Sequence, residues 1–155
     1  MFAKLWTLLH LFTAFSFVGS LLVAEWVGRS ARATQDWPQR ALLFQMAVRA
    51  GRTAGFVPLV LTGVLGNAAA VTSGFRMGAD PWLGWANGLW LVAVLVMAFM
   101  NLPAAYKLAA MARSAGGTAD VVGYGPTLGR WRVSNVLLSV LYLALLVVMV
   151  YGARS

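Results

Sequence analysis

Four stretches of this sequence are long and apolar enough to cross a lipid bilayer, and short basic segments separate them: residues 5–27, 54–71, 85–108 and 131–151. A helix needs about 20 mostly apolar residues to traverse about 30 Å of hydrocarbon. Water cannot be the solvent for such a chain. It is 61% hydrophobic and 10% charged, where a soluble domain carries about 25% charged residues. A compact chain this short exposes too much surface to hide the surplus in one core. The expected fold class is therefore all-α, an integral membrane four-helix bundle forming a single transmembrane domain over residues 1–155. The first stretch is too long for a signal peptide and starts with only Lys4, so a retained helix is expected.

Charge sets the expected orientation. The segment between the first two stretches holds Arg29, Arg32, Arg40, Arg49 and Arg52, and the segment between the last two holds Lys107, Arg113, Arg130 and Arg132. Lys4, Arg76 and Arg154 remain for the other side. Positive residues stay in the cytoplasm, which predicts both termini outside, a multi-pass arrangement and the bacterial inner membrane. The net charge of +8 is not gathered into one solvated face, so nucleic acid is not an expected partner. The expected partners are the lipid bilayer and either a larger membrane complex or a second copy in a homodimer. The chain has no cysteine, which excludes disulfides, thiolate metal sites, iron–sulfur clusters and covalently attached haem.

The connections carry their own signals. In "TQDWPQRALLFQMAVRAGR", Asp36 can cap a helix and Pro38 sits where a missing N–H is harmless. The helix that follows is either an extension of the second span or a surface-lying amphipathic helix whose Arg40 and Arg49 meet lipid phosphates. "SAGGTADVVGYGPTLGR" lacks the Gly-Lys-Ser/Thr ending of a phosphate loop and reads as a flexible turn. Trp6, Trp82, Trp85 and Tyr151 suit an outer aromatic belt. Gly51, Gly55, Gly63, Gly66 and Ala70 let neighbours approach the second span closely. Pro58 and Pro103 predict bends.

The first stretch holds the only histidine, His10, and the only glutamate, Glu25. At 1.5 Å per residue they stand roughly 22 Å apart along one helix and cannot form an acid–base pair. Glu25 reads as an interfacial carboxylate paired with Arg29 or Arg32, or as part of a proton-relay or quinone site. His10 shares a wedge of its helix with Thr13, Phe17, Ser20 and Ala24. Following the spans through the bilayer puts Asn67, Asn87, Trp90 and Met149 at its depth. His10, Thr13, Asn67, Asn87 and Met149 are thus the candidate cofactor-binding cluster. A neutral imidazole there can ligate haem iron, with Met149 or a second subunit's histidine opposite; a hydrogen bond to another helix is the alternative. Met97 and Met100 stand one turn apart and, with His10, are the candidate metal residues for Cu(I), or else packing residues. Carboxylate pairs, Cys/His couples and a serine elbow are missing, so hydrolysis is not expected.

The opening "LLHLFTAFSFVGS" is similar to the first helix of a group of small bacterial membrane proteins: the HemJ-type protoporphyrinogen oxidases, the CopD-type copper-resistance domain and an uncharacterised family of four-span proteins. His10 and Gly19 keep the pattern, with Phe17 at its aromatic position, and "RAGRTAGFVPLVLTGVLGN" resembles the Gly-rich second helix. The likeness covers the first half of the chain. It implies haem at His10. The HemJ-type lysine of the third helix has no counterpart in "WLGWANGLWLVAVLVMAFMN", so the oxidase activity is not carried over. The expected function is a haem b-binding or redox-accessory membrane protein. The alternatives are a non-catalytic small subunit of a larger redox or transport complex and a copper-handling protein.

Overall fold

The computed structural model describes residues 2–76, 78–115 and 121–152. Arg154 and part of the glycine-rich turn, including Gly116 and Gly117, lie outside the described residues. The described chain is all helical, with four helices long and apolar enough to cross a membrane: α1 (Phe2–Ala33), α2 (Trp37–Thr72), α3 (Pro81–Ser114) and α4 (Tyr124–Gly152). Each runs beyond the stretch expected from hydropathy. α2 is one continuous helix of 36 residues, so the segment after Asp36 extends the second span. The Asp36 carboxylate accepts from Gln39 N–H at 3.3 Å, and Pro38 sits in the first turn. α4 starts directly after Gly123, which takes a left-handed φ of 82°.

The helices alternate in direction, so nine of the 12 Lys and Arg residues gather at one end of the bundle. That end is tightly packed. Ala41 and Ala47 of α2 face Ala104, Ala105, Ala109 and Ala112 of α3, and Phe44, Leu108 and Trp131 fill the space between the helices. Small side chains let backbones come close, which is how helices associate without a hydrophobic force between them. Phe44 meets Trp131 edge-on, and Trp37 meets Tyr124 the same way. Arg40, which the surface-helix alternative would have turned to lipid phosphates, is drawn inward. Its guanidinium donates to Ala31 O and Thr34 O and lies over the Trp37 and Tyr124 rings. It thereby satisfies carbonyls that the end of α1 leaves open. Glu25 is exposed and paired with Arg29 at 2.8 Å.

Both interior prolines follow a turn of π-helix, Gly51–Phe56 before Pro58 and Met97–Asn101 before Pro103. A proline gives no N–H to the carbonyl four residues earlier, and its ring crowds that carbonyl. The wider π turn relieves the crowding. Each freed carbonyl accepts from a neighbouring helix: Ala54 O from the Ser16 hydroxyl at 3.4 Å, and Phe99 O from the Arg130 guanidinium at 3.3 Å. In an apolar medium such substitutes are what make a proline tolerable inside a span.

At the opposite end the bundle divides. α1 lies along the second half of α2, and the first half of α3 lies along α4, while contacts between the two pairs are sparse. The cleft between the pairs holds the candidate site.

Candidate functional site

A partly open cavity of about 300 Å³ occupies the cleft, lined mostly by apolar groups. Small-molecule sites run from about 300 to 1,000 Å³, so this one is at the small end. His10, Asn67, Asn87 and Met149 all line it. Four of the five residues expected to cluster are thus brought to one wall system. Thr13 is not among the lining residues. Its hydroxyl lies 2.8 Å from the Thr62 hydroxyl and also reaches the carbonyls of Leu9 and His10, so it ties α1 to α2 beside the cavity.

His10 is fixed by one bond. Its Nδ1 lies 2.8 Å from the backbone oxygen of Thr62. A carbonyl only accepts, so Nδ1 carries the hydrogen and donates it. In the neutral ring the lone pair then sits on Nε2, for which the described residues provide no hydrogen-bond partner. The bond is the one to another helix that the sequence left as the alternative to ligation; metal-binding histidines are oriented in the same way, one nitrogen held by a carbonyl and the other left for the ligand. Gly66 makes the arrangement possible, because a Cβ there would stand 2.9 Å from Nδ1 and Cε1 of the imidazole. Gly63 does the same for Trp90, whose indole would overlap any side chain at that position. Trp90 crosses the cleft and donates to Leu59 O at 2.8 Å.

Asn67 and Asn87 bridge the helix pairs by exchanging hydrogen bonds of 2.7 and 3.1 Å, and each also donates to its own helix, at Gly63 O and Leu83 O. Their amides are largely committed to each other. They form a strut across the cavity and offer a ligand less than His10 does. Trp82 differs. It lines the cavity, yet its Nε1–H is buried and has no partner among the described residues. An unmet buried donor costs roughly 1–3 kcal/mol. Sequence reasoning placed Trp82 in the outer belt with Trp85. Trp85 is 71% exposed, whereas Trp82 packs on Gly152 and meets Phe75 edge-on at 5.2 Å.

Met97 and Met100 lie deeper and line no part of the cavity. Met97 is 2% exposed, wedged against Gly51 and Gly55, and Met100 packs beside the same cluster. The structure does not bring either to His10. Among the described residues no group of three or more His, Cys, Asp or Glu side chains converges on a metal position. A second buried polar group, unforeseen from sequence, sits toward the basic end: Asn101 donates to Ser134 Oγ at 3.0 Å and to Asn135 Oδ1 at 2.7 Å. It joins α3 to α4 and is separated from the cavity by Phe17, Leu59, Met97 and Leu138.

The residues present fit haem in three respects. The free nitrogen is the right donor, the walls are apolar, and glycines at positions 63 and 66 keep α2 from crowding the space. A macrocycle exceeds this volume, so the cleft as it stands would hold haem only if the two helix pairs parted, with the Asn67–Asn87 strut and Trp90 giving way. Compared with known proteins, the chain matches no family model, no curated relative and no solved structure.

Proposed function

We propose that this chain is a multi-pass protein of the bacterial inner membrane that binds haem b non-covalently in the cleft, with His10 as axial ligand, and serves as a redox-accessory component. The observation that carries this reading is that His10 lines the cavity with its Nε2 unpartnered among the described residues, the ring being held there by the 2.8 Å bond from Nδ1–H to Thr62 O. That bond fixes the tautomer, orients the ring and raises the basicity of Nε2. Met149, which lines the same cavity, would offer its thioether as a second donor to the group. The gathering of basic residues at the packed end supports an orientation with both termini outside, so that the cleft opens toward the outer face.

Haem bound here supplies one-electron chemistry. The chain's own contributions are separable. Thr62 holds the imidazole, Gly66 admits it, and the apolar walls lower the local dielectric, one of the levers on a haem potential. Copper handling through Met97 and Met100 finds less support, since Met97 is sealed in the core away from His10.

The test is an absorption spectrum of the gently solubilised protein, as isolated and after addition of hemin. A Soret band that is lost in His10→Ala is the expected result. A wild-type protein that stays colourless after hemin addition overturns the proposal.

A further inference from the structure

The cleft keeps unmet polar groups at two levels. Of its lining side chains, Asn67 and Asn87 are committed to each other, the Thr62 hydroxyl to Thr13 and Pro58 O, and the Trp90 N–H to Leu59 O. Two groups within the span are left, His10 Nε2 and the Tyr142 hydroxyl, neither with a hydrogen-bond partner among the described residues. Among those residues, the polar side-chain atoms that are both sealed in and unpartnered are Trp82 Nε1 and Tyr124 Oη. His10 and Tyr142 are only half-buried, so their unpartnered atoms keep surface that a ligand can reach.

The two groups differ in hydrogen-bonding character. With its hydrogen given to Thr62 O, the neutral imidazole has only a lone pair on Nε2 and accepts. A phenol donates or accepts. Tyr142 packs against Phe17 with ring centroids 6.0 Å apart, and Phe17 follows His10 by roughly two turns of α1, about 10 Å. One six-membered ring with an oxygen at each end, and a hydrogen bond of about 2.8 Å beyond each oxygen, spans a similar length. Space agrees. A cavity of about 150 Å³ takes up benzene, so about 300 Å³ admits one ring with its substituents while the helix pairs stay where they are. Phe17, Phe75 and Trp90 are among the walls, which suits a flat ring.

We propose that the cleft binds a para-hydroquinone, one hydroxyl donating to His10 Nε2 and the other meeting the Tyr142 hydroxyl. The ligand class is the reduced form of a substituted benzoquinone. The oxidised form brings only carbonyl lone pairs, to which Nε2 has nothing to donate. The proposal does not rest on the haem reading, since a single ring needs no parting of the helix pairs. The two ligands compete, because both claim Nε2.

His10 is the only histidine, so nitrogen NMR of protein carrying isotope-labelled histidine follows this one imidazole. Trimethylhydroquinone, titrated without oxygen into the full-length protein in detergent, should move the Nε2 resonance to saturation. Its dimethyl ether has no hydroxyl and should bind about tenfold more weakly, and trimethylquinone about threefold to tenfold more weakly, the loss of one hydrogen bond. Tyr142→Phe should raise the hydroquinone Kd about threefold to tenfold, with the Nε2 resonance still shifting at saturation. A resonance that stays in place, or that responds equally to the dimethyl ether, overturns the proposal. An unchanged Kd in a Tyr142→Phe protein that unfolds like the wild type does so as well. The wild-type titrations decide even where the variant does not fold. Hemin added to separate samples tells the two readings apart. Hydroquinone binding without hemin uptake overturns the haem reading alone, and hemin uptake with no response to hydroquinone overturns this one alone.

Discussion

Position 66 decides whether an imidazole can enter this bundle at all. In Gly66→Ala the new Cβ would stand 2.9 Å from two ring atoms of His10, so the ring must swing and the bond to Thr62 O must stretch. Overpacking of this kind costs about 1–3 kcal/mol. Unfolding in detergent should show that loss, and the Soret band should weaken or shift. Gly19→Ala is the control, since nothing lies within 4 Å of a Cβ there, and it should be neutral or slightly stabilising. The residues of the site were legible in the sequence to different degrees. His10, Asn67, Asn87 and Met149 could be matched because helical rise and span direction set depth. Thr62 and the roles of Gly63 and Gly66 could not, because they depend on how α2 is rotated against α1. Trp82 and Trp85 carry the same signature of an interfacial tryptophan. Only the rotation of α3 shows which one turns inward.

At the level of elements, the two π turns are the main departure from expectation. Proline predicts a bend, but the choice between a kink and a widened turn depends on whether a neighbour can reach the freed carbonyl. Here Ser16 and Arg130 do so. Ser16→Ala leaves Ala54 O without its side-chain donor in a partly buried setting. It should cost about 0.5–1.5 kcal/mol, read as a lowered unfolding midpoint in detergent, with the response to added hemin the same as that of the wild type. Helix lengths also exceed the sequence estimate for a physical reason. Hydropathy registers the lipid-facing stretch, whereas α2, α3 and the start of α4 continue past it at the basic end. There they bury Trp37, Phe44, Leu108 and Trp131 against one another, a small core of the kind that soluble proteins use.

For the whole molecule, the most exacting prediction concerns orientation. Reporter tags at either terminus should be active outside the cytoplasm, and a tag inserted near Arg40 should be active inside; the reverse pattern would place the cleft on the cytoplasmic face and remove the basis for the proposed outer site. The number of helices and their alternation were plain from four apolar stretches, because each must be long enough to cross. The division into two helix pairs was not, since it depends on which faces pack. That division has one consequence for traffic. Phe17, Leu59, Met97 and Leu138 close the floor of the cleft, and Leu138 is wholly inaccessible. A molecule that entered the cleft would therefore meet an apolar plug before the basic end, and passage through the bundle would require that plug to move.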